Sequence, residues 1–371
     1  MKLWLTMLGC ASLAMGSLTM AAAPKPVSRP AETDSRAPDN RVKVWFDNDF
    51  LGPGQSNLQA LIPLIRDPNV NLLGIGVVTG DQWLEEETQH ALRFLEIAGR
   101  GDVPVAKGAQ TPLIRSLPEM KAWEARFGPI PWKGAWNAPK PGRNYHPEDP
   151  DLVPPMAEGT PSIKPVAQDA VHRLIDAVRA HPGQVTIICA GPLTNIALAL
   201  RIAPDIAAKA KGIVMQGGGY DMQAARVLDN ADYATDFNFV FDPEAAHIVL
   251  TAPWKKITVV GNVTTSARMS RALADQIGAS GTPTARYIAQ YARIDQPLWD
   301  EMTVAVALDP TLVTRKFTAR MDVDLMPGAG YGTAQMWKDE LAPHRGEQMV
   351  EVVERIDVPR FLARFTAQAR Q

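Results

Sequence analysis

The stretch Val42-Lys43-Val44-Trp45-Phe46-Asp47-Asn48-Asp49-Phe50-Leu51-Gly52-Pro53-Gly54-Gln55-Ser56-Asn57 decides the fold. An apolar run ends in two acids one residue apart. A Gly52-Pro53-Gly54 turn follows, and a helical pattern starts behind it. Alternate side chains of a strand share a face, so Asp47 and Asp49 are expected to point the same way. Open α/β sheets carry their sites at the carboxyl ends of parallel strands, and there such a pair suits a cation or an activated water.

Outward from this stretch, Ser56 fits a helix N-cap. Leu58, Leu61, Ile62 and Ile65 follow helical spacing, which Pro63 should kink or shorten. Val70 to Thr79 is nearly all apolar, as a strand buried on both faces should be, and ends in Thr79-Gly80-Asp81. Ala91, Phe94, Leu95 and Ala98 form a helical stripe, and Asp102 to Ala106 a short third strand. This alternation predicts an α/β fold: a doubly wound, mostly parallel sheet with helices on both faces.

From about 110 to 165 the pattern gives way to a long Pro/Trp-rich insert carrying Trp123, Trp132 and Trp136. Its length and tryptophans predict a lid that packs on something. Regular patterning resumes at Val166. A helix is expected over Val171, Leu174, Ile175 and Val178, and a strand over Val185 to Ala190, after which Gly191-Pro192-Leu193-Thr194-Asn195 turns into an alanine-rich helix to Arg201. Further on come a strand over Gly212 to Met215, a helix over Pro243 to Leu250 and a strand over Ile257 to Val260. Two helical stretches lead to a helix opening at Pro297-Leu298-Trp299-Asp300 and running through Leu308. The tail holds strand-like Arg320 to Leu325 and Met349 to Ile356, then a short helix around Phe361 to Phe365.

The chain has 371 residues, 46 % of them hydrophobic, enough for a sizeable core, and a formal net charge of −2. Near-neutrality argues against nucleic acid or an anionic membrane as main partner. Residues 1–23 are expected to be a signal peptide: Lys2, a largely apolar run to Met20, then Ala21-Ala22-Ala23. A membrane anchor is the alternative, but Gly9, Gly16 and Ser17 break the run. Leu8-Gly9-Cys10 faintly resembles a lipidation site, with too little apolar sequence before it. The expectation is export to the periplasm or secretion, with no membrane association after cleavage. Residues 24–40 are a flexible leader, and 41–371 a single domain. Cys10 lies in the signal, so Cys189 alone remains, an expected core thiol with no disulfide partner.

Three further segments bear on chemistry: Ala190-Gly191-Pro192-Leu193-Thr194-Asn195-Ile196-Ala197-Leu198-Ala199-Leu200, Met215-Gln216-Gly217-Gly218-Gly219-Tyr220, and Asp236-Phe237-Asn238 ahead of Asp242-Pro243-Glu244-Ala245-Ala246. By themselves they are a strand-to-helix turn, a glycine-rich strand end and a helix start with acids at its N-terminus. Together with the opening stretch and Trp299-Asp300, they resemble the inosine-uridine-preferring nucleoside hydrolase family, over nearly the whole chain from Val42.

The resemblance implies hydrolysis of the N-glycosidic bond of ribonucleosides, with calcium as cofactor. It implies that Asp49 touches calcium and activates the attacking water. The Thr194 main-chain carbonyl and Asp300 would complete the calcium shell, although Asp300 also fits a helix N-cap. Asn230, Asp236 and Asn238 would hold ribose hydroxyls. An adjacent acidic pair in the family corresponds here to Ser56 and Asn57. Ser56 would then face the sugar, and Asn57 would offer calcium an uncharged carbonyl, making a weaker site. Asp81 stands where the family has an Asn near the sugar and restores some charge. Trp299 replaces a His that helps the base depart; an indole stacks but gives up no proton as an acid. The resemblance also implies homo-oligomers, dimers or tetramers, and no feature of the sequence decides between them. None of the six histidines forms a metal-like cluster; His146, in the insert, is within reach of a site, and His90, His172 and His247 suit structural or surface roles. Two other readings stand beside this one: a hydrolase of another ribosyl or glycosyl substrate, its pocket reshaped by the insert, and a catalytically weak nucleoside- or sugar-binding protein.

Overall fold

The computed structural model describes residues 39–140, 145–219 and 233–371. Residues 40–371 form one compact unit. Its centre is a nine-stranded sheet: β1 (Val42–Asn48), β2 (Val70–Val77), β3 (Val105–Lys107), β4 (Val185–Cys189), β5 (Gly212–Gln216), β6 (Ile257–Val260), β7 (Val313–Val323), β8 (Ala334–Trp337) and β9 (Gln348–Ile356). The spatial order is β3-β2-β1-β4-β5-β6-β9-β7-β8. Every pair from β3 to β9 is parallel, and β7 runs antiparallel to both β9 and β8. The expected doubly wound sheet is therefore present, with a mixed edge. The tail yields more strand than its pattern showed: β7 begins at Val313, and β8 was not anticipated. Exposed β7 residues at 314–318 hide its alternation.

Period-two alternation divides the core into two layers. Phe46, Ile75, Ile188 and Val214 face one layer, beneath the helices Leu61–Arg66, Leu84–Ile97 and Trp299–Leu308. Trp45, Ile187, Cys189 and Met215 face the other, beneath Ala170–Ala180, Thr194–Ile202 and Pro243–Leu250. Adjacent residues such as Ile187 and Ile188 go to opposite layers, which is why these strands are apolar throughout.

Pro63 acts as expected. It has no N–H to give to Gln59, and the helix after the Gly52-Pro53-Gly54 turn is split into Ser56–Gln59 and Leu61–Arg66. Ser56, expected to cap it, is its first residue; the N-cap is Gln55, without a side-chain cap bond.

The insert is folded onto the sheet's carboxyl end. It contains a helix, Leu117–Phe127, capped by Ser116, and a 3-10 turn, Gly134–Trp136. Met120, Ala135 and Trp136 pack with Trp83, Phe237 and Phe241 into a third small core. Docking is close: the Ala135 N–H donates to the Gly80 carbonyl at 2.8 Å. Gly134 has φ +54°, and a Cβ there would collide with that same carbonyl. Gly134→Ala is therefore expected to undock the insert and cost about 1–3 kcal/mol of stability. Limited proteolysis within residues 110–165 measures this, and an unchanged cleavage rate would contradict the docking argument.

Candidate active site

The topological switch lies between β1 and β4, where the chain has gone one way to β3 and returns the other way. Doubly wound sheets open a crevice there. A cleft of about 430 Å³ opens at this place, with Asp49, Asn57, Asp81, Ala190, Gln216, Asn238, Trp299 and Asp300 in its walls. Trp132 and Phe237 add aromatic surface, and Arg268, Arg293 and Asp295 stand at it as well.

Asp49 is 1 % exposed and occupies the residue just past the end of β1. Two glycines give it room. A Cβ at Gly191 would lie 2.8 Å from the Asp49 nitrogen, and one at Gly80 would strike its carboxylate. Asp49 Oδ2 accepts from the Asp81 backbone N–H at 2.9 Å, and Oδ1 from Asn57 Nδ2 at 3.2 Å. Burial, and then the charges of Asp81 and Asp300, push the Asp49 carboxyl well above the usual carboxylate range, against the lowering effect of the Asp81 N–H. Asp300 is raised too, by burial first, with an Asn48 hydrogen bond opposing and Asp81 adding.

Asp47 does not join this group. The strand ends between the two acids, so the alternation that pairs them stops. Asp47 packs toward the Thr194–Ile202 helix, where Asn195 Nδ2 donates to both its oxygens at 3.2 Å. Burial raises its pKa to about 7, with Asn195 and Trp45 pulling the other way. The residue between the acids, Asn48, proves to be the tie. Its Oδ1 accepts from the Asp49 N–H at 2.8 Å, and its Nδ2 donates to Asp300 Oδ2 at 3.1 Å and to the Asn57 carbonyl at 3.2 Å. Its position one residue before Asp49 was the only signal for it in the sequence.

Ser56 stands elsewhere than expected. It is buried and absent from the cleft walls. Its hydroxyl donates to Glu301 Oε2 and accepts from the Asp300 N–H at 3.0 Å. It thus caps the helix that carries Asp300 instead of facing a substrate. Asp300 itself follows Trp299 into that helix, so it is no N-cap. Thr194 gives its hydroxyl to Asp242 at 2.6 Å and is not among the cleft residues. Asn238 lies within a helix, Tyr233–Phe241. Its amide reaches the Ala190 carbonyl at 3.0 Å and the Gln216 carbonyl at 3.2 Å, tying the ends of β4 and β5. Asn230 and the Asp236 side chain lie outside the described residues. Gln216, Phe237 and Gln296 line the cleft without having been singled out.

His146 does not enter the cleft. It bonds Glu86 at 2.9 Å, while His90 on the same helix as Glu86 bonds Glu158 at 2.5 Å. Together they fasten the insert.

Among the described residues no three His, Cys, Asp or Glu side chains form a ready metal centre. The donor chemistry at the cleft nevertheless suits a hard cation. Asp49 and Asp300 are buried carboxylates, and among the described residues neither makes an ion pair with Lys, Arg or His. Asn57 directs its amide nitrogen at Asp49 and, at 3.4 Å, at Asp81 Oδ2, so ligation through its oxygen requires the amide to turn over. Asn57→Asp is expected to add a buried like charge, costing about 1–2 kcal/mol in chelator. The same change should enlarge the rise in melting temperature on adding calcium. Equal rises in both proteins would remove Asn57 from the cation's surroundings.

Buried carboxylates, amides and aromatic rings around a small cleft at the switch point define an α/β protein with a built site for a small ligand. The comparisons with known proteins give the class its family. A family model described as inosine-uridine preferring nucleoside hydrolase matches residues 44–363, and the chain belongs to that family of N-glycosyl hydrolases. It is 30 % identical over 297 residues to the inosine-uridine preferring nucleoside hydrolase of Crithidia fasciculata, covering 76 % of this chain and 83 % of that one. It is 29 % identical over 334 residues to the enzyme of the same name from Leishmania major, covering 86 % and 94 %. Among solved structures, a plant nucleoside hydrolase superposes with TM-score 0.67 at 26 % identity, over 88 % of this chain and 98 % of that one.

Proposed function

We propose that this chain hydrolyses the N-glycosidic bond of ribonucleosides to free base and ribose, with Asp49 as the base that activates water. The observation that carries the proposal is the convergence of Asp49, Asp81 and Asp300 in the cleft. Such a reaction passes through a cationic, oxocarbenium-like sugar, which three carboxylates stabilise and a neutral pocket would not. Asp49, just past the end of β1 and in the cleft wall, is placed to take a proton from an attacking water. Asn238, with Asp236 and Asn230, would hold the ribose hydroxyls. Trp299 would stack on the departing base.

Calcium is the cofactor this reading calls for; Asp49 and Asp300 would hold it, with Asn57 once its amide has turned over and with the Thr194 carbonyl, and it would supply Lewis-acid activation of water. The cation would also offset the mutual repulsion of the acids. We further propose that the protein is exported, to the periplasm or beyond, on the strength of residues 1–23. The removal of Ser56 from the cleft favours one second reading, a catalytically weak binder of nucleosides or sugars. The test is ribose release from a panel of purine and pyrimidine nucleosides, with calcium and with chelator. Release that chelator abolishes is the expected result. No release from any nucleoside in calcium, with nucleoside binding retained, would establish the binder instead.

A further inference from the structure

A second cavity, of about 440 Å³, lies where β4, β5 and β6 begin, at the other end of these strands from the cleft. Its floor is apolar: Val214 of β5, Val353 of β9 and Val306 near the end of the Trp299–Leu308 helix. Lys211, Lys256, Arg315 and Lys316 line it against a single acid, Glu351. Because β9 lies between β6 and β7, Lys256 and Lys316 reach Glu351 from opposite sides. Lys256 Nζ stands 2.8 Å from its Oε2, and Lys316 Nζ 2.7 Å from its Oε1. Two ammonium groups thus share one carboxylate, which leaves one positive charge over. Lys211 adds another, since it makes no ion pair with a described residue. Arg315 is matched by Glu354 at 2.8 Å. Asp309, beside Pro310 of the cavity wall, is taken up by Arg360 at 2.6 Å and Arg364 at 3.1 Å.

We propose that this cavity is a second binding site, for small organic dianions of the phosphomonoester class. The dianion sits among Lys211, Lys256 and Lys316, and its apolar substituent lies on Val214, Val306 and Val353. A phosphomonoester carries nearly two negative charges near neutral pH and accepts several charge-assisted hydrogen bonds, which matches the charge left over here. A polyanion is served by a flat cationic face; a concave apolar floor of this size suits a small molecule. Two elements join the cavity to the cleft. β5 runs from Gly212 in the cavity to Gln216 in the cleft, and the helix Trp299–Leu308 from Asp300 in the cleft to Val306 in the cavity. The two sites use opposite ends of these elements, so a bound dianion leaves the cleft open.

Calorimetric titration of the full chain with phenyl phosphate at pH 8 tests the site, with inorganic phosphate, benzoate and phenol as comparisons. Phenyl phosphate is expected to bind once per chain, about 10-fold or more tightly than any of the three, because only it offers both the dianion and the apolar body. Lys211→Met keeps the aliphatic stem and should weaken phenyl phosphate about 5-fold. Glu351→Gln frees two ammonium groups and should tighten it by a similar factor. A loss of fold produces no such gain, and the melting temperatures of both variants should stay near the parent's. Arg293→Ala, at the cleft, should leave the affinity unchanged, and added salt should lower it. None of these readings depends on hydrolysis. Absence of binding, equal affinity for phenyl phosphate and inorganic phosphate, or indifference to both Lys211→Met and Glu351→Gln overturns the inference. Loss of binding in Arg293→Ala overturns it too, by placing the anion in the cleft.

Discussion

Asp49→Asn is expected to lower ribose release about a thousandfold, while the protein melts at the same temperature as the parent, or higher, in chelator. The loss would follow from removing the base proposed to activate water, an effect of about 10²–10⁴-fold in enzymes generally. The stability result follows from the electrostatics. Asp49 is buried, and Asp81 and Asp300 repel its charge, so its carboxyl is held well above the ordinary range. A group raised in this way favours its neutral form in the folded state and works against the fold once ionised. Asparagine keeps the shape and removes the charge, and Asn57 can turn its amide to meet the new side chain. Calcium should raise the melting temperature of the parent and not of the variant. Activity and melting curves on the same preparations check both halves. Activity within 10-fold of the parent would remove Asp49 from catalysis, and a large drop in melting temperature would make its role structural.

The second large effect concerns the clasp under the insert. His90 is 3 % exposed, between Glu158 at 2.5 Å and Glu86 at 3.7 Å, with His146 on the other Glu86 oxygen at 2.9 Å. Burial by itself lowers the His90 pKa. The hydrogen bonds and charges of Glu158 and Glu86 outweigh that and raise it to about 9. Glu158→Gln leaves a buried imidazolium short of its nearest partner, which should cost about 3 kcal/mol. The pH dependence has a definite sign. The folded-state pKa lies above the unfolded value of about 6.5. The contribution is therefore complete below about 6.5 and lost as pH rises through about 9. Denaturant melts between pH 6 and pH 10 should show the parent losing stability across that window and Glu158→Gln losing much less. Parallel curves for the two proteins would contradict the clasp.

The architecture was legible along the chain because strand and helix patterns are local. Val42 to Phe46 and Val185 to Ala190 are apolar runs that only a strand covered on both faces explains. Pro243 to Leu250 and Ile257 to Val260 were bounded correctly by an Asp-Pro start and by flanking polar residues. β8 and the first half of β7 were not legible, since an exposed edge carries no apolar alternation. The helix Leu117–Phe127 was hidden for a similar reason: only Met120 of it is buried.

For the site, the residues by themselves marked Asp49, because a carboxylate that ends an apolar run stands out against its neighbours. Asp81, in the turn after β2, and Asp300, in the first turn of a late helix, were marked by the resemblance of their segments to the family. Tertiary structure alone decided which of them meet. Asp47 turns to Asn195 because β1 ends before Asp49. Ser56 serves the N-terminus of a helix that begins more than two hundred residues later, where Asp300 offers an N–H with no partner in its own helix. Trp132 reaches Asp81 only because the insert folds back across fifty residues of chain. Periodicity reports which face of an element is buried; contacts between elements depend on how the faces pack, and nothing in the local pattern encodes that.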